Sequence, residues 1–283
     1  MIIGEIVMEK FSVAMSVYKN DSPEHFDKAL ASITLEQTVK PDEIILVVDG
    51  PVPDEVNSVI DRYKSFYQDM FRVVRLEKNG GLGNALKLAV EKANNELIAR
   101  MDSDDIALPT RFEQQLDCFE KEPKLDIVGG DITEFIGEPE NIVGKRVVPE
   151  LDSEIRSYMQ TRCPMNHMTV MYKRSAVLKA GNYIDWFWNE DYYLWIRMQQ
   201  TGCYFANTGT VLVNVRSGAD MYQRRGGKKY FQSEKGLQDY MLRHKMISRR
   251  TYYMNVLKRW IVQVALPNSV RGWVFRTFAR NKA

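Results

Sequence analysis

ARMDSDDIALPTRF, residues 99–112, places three aspartates, Asp102, Asp104 and Asp105, directly after the apolar run Leu97-Ile98-Ala99. An apolar segment and Pro109 follow them, and then the start of a new helix. A strand that ends in mutually repelling carboxylates has two readings. Asp and Ser favour solvated turns because their side chains bond to nearby backbone. Alternatively, a divalent cation converts the repulsion into coordination, and Mg²⁺ or Mn²⁺ suits one or two carboxylates completed by substrate phosphates. The flanking segments bear on the choice.

Upstream, FSVAMSV (11–17), EIILVVDG (43–50) and FRVVRLE (71–77) are short, continuous apolar runs ended by polar residues, the pattern of strands buried on both faces. Helical patterns separate them. Ser22-Pro23-Glu24 opens the first, with Ser as N-cap and Pro at the first helical position. The second follows Pro53, and the third is the Gly-rich turn and helix NGGLGNALKLAVEKAN. Strand and helix alternating in units of about 30 residues predict a mostly parallel, Rossmann-like sheet with helices on both faces. Ligands in such folds sit beyond the carboxyl ends of the strands, where Lys19–Asp21, Asp49-Gly50, Asn79–Gly83 and Asp102–Asp105 all fall.

Downstream, a helix is expected over 109–122, then a strand in LDIVGGDITEF and a helix in LDSEIRSYMQ with Asp152 as N-cap. CPMNHMTVMYKRSAVLKAG reads as a strand and a short helix capped by Gly181, and VLVNVR as a last strand. WFWNEDYYLW sets Glu190 and Asp191 among aromatics at the head of an amphipathic helix. Such an acid can have a raised proton affinity and act as a general base, or it can simply favour the first helical turn. His167 in PMNHMTVM is either a structural histidine or a functional contact. NGGLGN lacks the third glycine of a dinucleotide fingerprint and the Gly-Lys-Ser/Thr of a phosphate-binding P-loop, so it is a turn where backbone can approach a ligand.

The 283 residues carry a net charge of +2, which hides a strong asymmetry. Residues 221–283 hold 15 Lys+Arg against 2 Asp+Glu, whereas the first 220 hold 24 against 35. That basic tail suits an anionic partner. Without a recognised nucleic-acid motif, and with Trp and Phe interleaved, a lipid surface is favoured over nucleic acid. In RRTYYMNVLKRWIVQVAL the polar residues Thr251, Asn255, Lys258/Arg259 and Gln263 form a narrow stripe at helical spacing, leaving a broad apolar face for a membrane interface or for docking on the domain. Cys118, Cys163 and Cys203 fit neither a disulfide framework nor a CxxC metal site, so a reducing compartment is expected. MIIGEIVMEK places Glu5 and Glu9 where a secretory leader needs an apolar core.

Taken in order, SVYKND, VVDG, NGGLGNALK, MDSDD, NHMTVMYKRSAVLKAG and NEDYYLW, followed by VRSGADMYQRRGG, resemble a family 2 glycosyltransferase of the GT-A fold. More narrowly, the chain resembles bacterial enzymes that build capsular, exopolysaccharide or O-antigen repeats on a lipid carrier. The resemblance runs from Phe11 to about Tyr240. It implies a glycosyltransferase domain over 1–220, with a nucleotide-binding half at about 8–106 and an acceptor half at about 107–220, and a basic helical extension over 221–283. It further implies a UDP-hexose donor, a lipid-linked saccharide acceptor, Mn²⁺ or Mg²⁺, and a cytoplasmic enzyme peripheral to the inner membrane face.

Residue by residue, the resemblance gives Ser16, Val17, Tyr18 and Asp49 to the nucleotide, with Asp49 toward the base. Gly81 to Lys87 border its phosphates. Asp102 and Ser103 approach the ribose, and Asp104, with Asp105, binds the metal. Asp191 beside Glu190 is the base of an inverting transfer. Met221–Gly227 matches a loop that closes over the donor, and His167, Arg224 and Arg225 are candidate acceptor or diphosphate contacts. Two departures stand out: Val48-Asp49-Gly50-Pro51 has one acid where the family often has two, and Ala85-Leu86-Lys87 replaces a common Ala-Arg-Asn. Lys87 is the candidate substitute for that arginine. Two rivals remain at this level: a sugar nucleotidyltransferase, whose phosphate loop KNDSPEH does not match, and a non-catalytic nucleotide-sugar-binding protein.

Overall fold

A computed structural model describes residues 9–218 and 227–266. The first half alternates as expected: β1 (Phe11–Val17), α1 (Pro23–Ile33), β2 (Glu43–Val48), α2 (Asp54–Tyr67), β3 (Phe71–Arg75), α3 (Leu82–Lys92) and β4 (Leu97–Met101). The Ser22 side chain accepts from the His25 N–H, as its N-cap position predicts. β1 pairs in parallel with β2 and β4, and β2 with β3, so Met15 lies level with Leu46 and Met101. Alternate side chains leave opposite faces of these strands. Val13, Met15, Leu46 and Met101 pack under α1, α2 and α4, whereas Ala14, Ile45, Val47 and Ile98 pack under α3 and the later helices. Continuous apolar strands are what two buried faces require.

The second half comprises β5 (Ile106–Ala107), α4 (Arg111–Lys121), β6 (Ile127–Phe135), β7 (Ile142–Arg146), α5 (Asp152–Met159), β8 (Met171–Lys173), α6 (Arg174–Lys179), α7 (Glu190–Gln200) and β9 (Phe205–Arg216). The sheet runs β3-β2-β1-β4-β8-β6-β9-β5, with β7 on β6. Here the pairing is mixed: β8 runs antiparallel to both β4 and β6, and β9 parallel to β6 but antiparallel to β5. The sheet curls, because β5 at its far end follows β4 closely in sequence and touches α1, where the Ala107 N–H donates to Ser32 Oγ at 3.1 Å. The acidic turn 102–105 therefore links the interior strand β4 to β5 at one end of the sheet.

Asp152 is the first residue of α5 and Leu151 the N-cap, a correction of one position. The Asp152 carboxylate is drawn away by the Phe205 N–H (3.0 Å) and Arg156 Nε (2.6 Å). Gly181, at φ +89°, ends α6 as expected.

After the undescribed segment 219–226, α8 (Lys228–Arg243) and α9 (Arg249–Trp260) complete the described residues, with a π-helical turn Ile261–Ala265 prolonging α9. α8 buries Leu237 and Met241 in the same core as Trp195. α9 sits the other way round from a usual amphipathic helix. Its polar stripe faces the protein: Asn255 Nδ2 donates to Gln160 O (2.9 Å), and Arg259 Nε to Glu234 Oε2 (2.9 Å). Its apolar side is left to solvent at Tyr253, Met254, Leu257, Trp260 and Ile261. A docked helix that covers the domain with its apolar face is thereby excluded.

Candidate active site

The carboxyl ends of β1, β2 and β4 meet as the alternation requires. The buried Asp49 accepts from the N–H groups of both Gly80 (Oδ1, 2.6 Å) and Gly81 (Oδ2, 2.9 Å), so one carboxylate clasps the turn before α3. Gly81 sits at φ +87°, a conformation that suits glycine, and a Cβ there would meet nothing within 4 Å. The turn thus stands open in front of the strand ends. Beside it, the Tyr18 N–H and Ser103 Oγ both donate to Asp21 Oδ2, at 3.0 and 2.8 Å, tying the β1 loop to the acidic turn.

The four-residue turn divides its acids among distinct tasks. Asp102 is held by Arg100, with Nη1 at 2.6 Å from Oδ2 and Nη2 at 2.5 Å from Oδ1. Arg100 is 1% exposed, and its carbonyl accepts from the equally buried Arg111 Nη2 at 2.6 Å. Burial and the neighbouring Arg100 hold the Arg111 guanidinium down to about 9. Asp105 is buried and its Oδ1 accepts from the Arg216 N–H at 2.9 Å, so it anchors the end of β9.

Asp104 remains accessible within the cleft but is walled in by it. That desolvation, with repulsion from Asp102 and Asp21, pushes its carboxyl up to about 6. Desolvation, and more weakly the charge of Asp102, also raise Asp21.

Among the described residues no cluster of three or more His, Cys, Asp or Glu side chains is arranged to hold a metal by itself. A cation that takes one or two carboxylates and completes its shell with phosphate oxygens needs no such cluster. Crowded hard-oxygen donors, with only Asp102 neutralised by an arginine, fit that kind of site.

The opposite wall comes from α7 and its approach. Asp191 and Glu190 occupy the first turn of α7, where the positive end of the helix dipole favours acids. Burial, then repulsion from Asp191, lifts the Glu190 carboxyl to about 7. The thiol of Cys163, pushed up by burial and by Asp191, stays protonated and donates to Asp191 Oδ2 at 3.7 Å. Trp188 holds a left-handed backbone (φ +59°) with its ring 53% exposed. Asp104, Cys163, Trp188 and Asp191 all line one cavity of 1130 Å³, closed on its far side by α9. That is ample room for a disaccharide-sized pair of substrates.

Of the other expected residues, Ser16, Val17 and Tyr18 lie at the end of β1 with Tyr18 exposed, and Lys87 is exposed on α3. His167 does not line the cavity. Its Nε2 shares a 2.9 Å hydrogen bond with the Tyr183 hydroxyl, and its ring packs edge-on against Trp195. Burial, with the nearby Arg100, holds its pKa well below the usual histidine range. Arg224, Arg225 and most of the 221–227 loop lie outside the described residues. The sequence reading placed Asp21 at a strand end without giving it a role, and gave none to Arg100, Cys163 and Arg216, for which contact across the fold is the only clue.

The comparisons agree with this geometry. The model for Glycosyl transferase family 2 matches residues 12–183. Over 271 residues the chain is 37% identical to the Escherichia coli UDP-Gal:alpha-D-GlcNAc-diphosphoundecaprenol beta-1,3-galactosyltransferase, covering 96% of this chain and 97% of that one. It is also 37% identical over 224 residues to the amylovoran biosynthesis glycosyltransferase AmsE of Erwinia amylovora, covering 79% and 82%. Among solved structures, residues 1–349 of S. aureus TarS in complex with UDP-GlcNAc superpose with a TM-score of 0.64 at 16% identity, covering 89% of this chain and 72% of that one, a likeness of fold. With a family model over more than half its length and a named relative over nearly all of it, the chain belongs to glycosyl transferase family 2, and it is a glycosyltransferase.

Proposed function

We propose that the protein transfers a hexose, with inversion and with a divalent metal, from a UDP-sugar to a saccharide carried on a polyprenyl diphosphate during bacterial surface-polysaccharide synthesis. The observation that carries this reading is the single cavity shared by Asp104 and Asp191, one from each half of the fold. The full-length similarity to a galactosyltransferase acting on a diphosphoundecaprenol-linked GlcNAc favours UDP-galactose and an acceptor of that type.

In this reading the β1 loop (Ser16, Val17, Tyr18), Ser103 and the turn clasped by Asp49 hold the nucleotide. Asp102 keeps free lone pairs for the ribose despite its arginine clamp. Asp104, with the donor's phosphates, would hold Mn²⁺ or Mg²⁺, whose chemistry there would be charge neutralisation of the diphosphate leaving group. Asp191 takes the proton of the acceptor hydroxyl. The acceptor oxygen forms its bond to the anomeric carbon from the face opposite UDP, and the breaking C–O bond leaves its electron pair on UDP. Cys163 aims the Asp191 carboxylate by donating to one of its oxygens.

No helix among the described residues is long and apolar enough to cross a membrane. The outward apolar side of α9, flanked by basic residues, instead suits contact with an anionic lipid surface. The reaction is tested with UDP-[³H]galactose, Mn²⁺ and an alkyl-diphosphate-linked GlcNAc. Transfer should fall at least a hundredfold in Asp191→Asn, within the usual span for a general base, and Asp104→Asn should lose its metal dependence. Full transfer by Asp191→Asn would refute the base assignment.

A further inference from the structure

We infer that Arg162 and Lys258 form the subsite that grips the acceptor's diphosphate, a role that rests on the lipid-linked acceptor proposed above. Both side chains line the cavity that holds Asp191. The other cations on that wall are already engaged: Arg146 Nη2 donates to Cys163 O at 2.6 Å, Arg259 to Glu234 and Thr161, and Arg216 Nη1 to Gly137 O at 2.8 Å. Arg162 and Lys258 are exposed, and among the described residues neither side chain has a hydrogen-bonding or ionic partner. Two uncommitted cations facing into one cleft are a site for a doubly charged group, and an arginine fork matches phosphate oxygens bidentately.

The backbone holds the two together. Asn255 Nδ2 donates to Gln160 O (2.9 Å) and Arg259 Nη2 to Thr161 O (2.6 Å), so α9 latches onto the residues just before Arg162 on either side of Lys258. The next residue, Cys163, reaches Asp191 Oδ2 at 3.7 Å. Arg162 is therefore the neighbour in sequence of the group that contacts the base, and Lys258 lines the same cavity. A sugar diphosphate has matching proportions, since its charged group and its nucleophilic hydroxyl are on the same ring.

The third coincidence is the position of Lys258, at the border between the inward polar stripe of α9 and its outward apolar side at Leu257 and Ile261. A diphosphate held there would direct its hydrocarbon tail onto that apolar side. In the proposed reading the donor's diphosphate would be neutralised elsewhere, by the divalent metal held at Asp104.

The test uses geranyl diphosphate, which carries diphosphate and tail without a sugar, titrated calorimetrically into the full chain with UDP and Mg²⁺ saturating the donor site. Wild type should bind it, and Arg162→Gln and Lys258→Gln should each weaken binding by about tenfold, as expected for one charge-assisted contact, with UDP affinity unchanged. Because both side chains are exposed, unchanged UDP affinity also certifies folding. Wild-type-like binding by both variants, no binding by wild type, or displacement of the probe by UDP overturns the subsite. Inorganic pyrophosphate should bind the same cations more weakly. If it binds as tightly as geranyl diphosphate and loses the same factor in the variants, the cation pair stands and the lipid-carrier reading fails.

Discussion

Replacing Glu190 by glutamine is expected to stabilise the folded chain while lowering its activity. In the fold, burial and the adjacent Asp191 lift the Glu190 carboxyl from an ordinary 4.5 to about 7. A carboxyl raised in the folded state favours folding fully only below its unfolded value. That contribution is lost as pH rises from about 4.5 through about 7, because the folded chain must then hold an ionised group that it disfavours. The shift corresponds to about 3 kcal/mol at pH 8. Part of it belongs to the repulsion shared with Asp191 and returns only if that neighbour stays charged.

Glutamine keeps the shape and removes the charge. Urea denaturation of wild type and Glu190→Gln should therefore give nearly equal stabilities at pH 5 and a variant more stable by about 3 kcal/mol at pH 8. For a chain of this length the gain is a rise in Tm of roughly 5 °C. A gain that does not change with pH, or a loss at pH 8, would refute the idea that Glu190 is held ionised against its environment. Stability gained together with activity lost would mark the acid pair as strain kept for function.

Three further outcomes follow from the geometry. Arg100→Met leaves Asp102 half-buried without its partner and should cost about 3–5 kcal/mol in a denaturation titration, with Asp102→Asn in the same chain recovering part of that loss. Gly81→Ala adds a methyl that meets nothing but forces alanine to φ +87°, so it should cost roughly 1–2 kcal/mol and weaken UDP binding through the distorted turn. Leu257→Glu alters a 58% exposed side chain and should leave folding intact. It should weaken co-sedimentation with phosphatidylglycerol vesicles by about 2 kcal/mol, near thirtyfold, and unchanged sedimentation would remove α9 from the proposed membrane contact.

The parallel half of the sheet was legible because β1, β2 and β4 are buried on both faces and therefore mostly apolar. The second half hides its order. β8 is three residues long, and its antiparallel place between β4 and β6 is fixed by pairings such as Ile98 with Tyr172 that no local pattern announces.

The acidic turn was recognisable as a site, but its division of labour was not. Asp102 faces Arg100 and Asp105 faces the end of β9 because of residues 2 and 111 positions away along the chain. His167 was ambiguous for the same reason: Tyr183 and Trp195 settle its burial. In α9 the sequence displayed a narrow polar stripe but not its direction. That direction follows from Gln160, Gln238 and Glu234, which offer the stripe hydrogen bonds that the core could not.

The curl of the sheet has a consequence for how such enzymes diversify. In the proposed reading the donor contacts from the β1 loop to Asp104 lie before α4, whereas Cys163, Trp188, Asp191 and α9 come after it. Apart from the expected donor loop at Met221–Gly227, donor and acceptor contacts would then be separate blocks of sequence. A single genetic crossover within α4 would exchange the second block and keep the first, provided the incoming segment still offers a strand to β4, the Arg216 N–H to Asp105, the Arg174 guanidinium to the Val90 carbonyl and the Val128 and Thr169 carbonyls to Gln115.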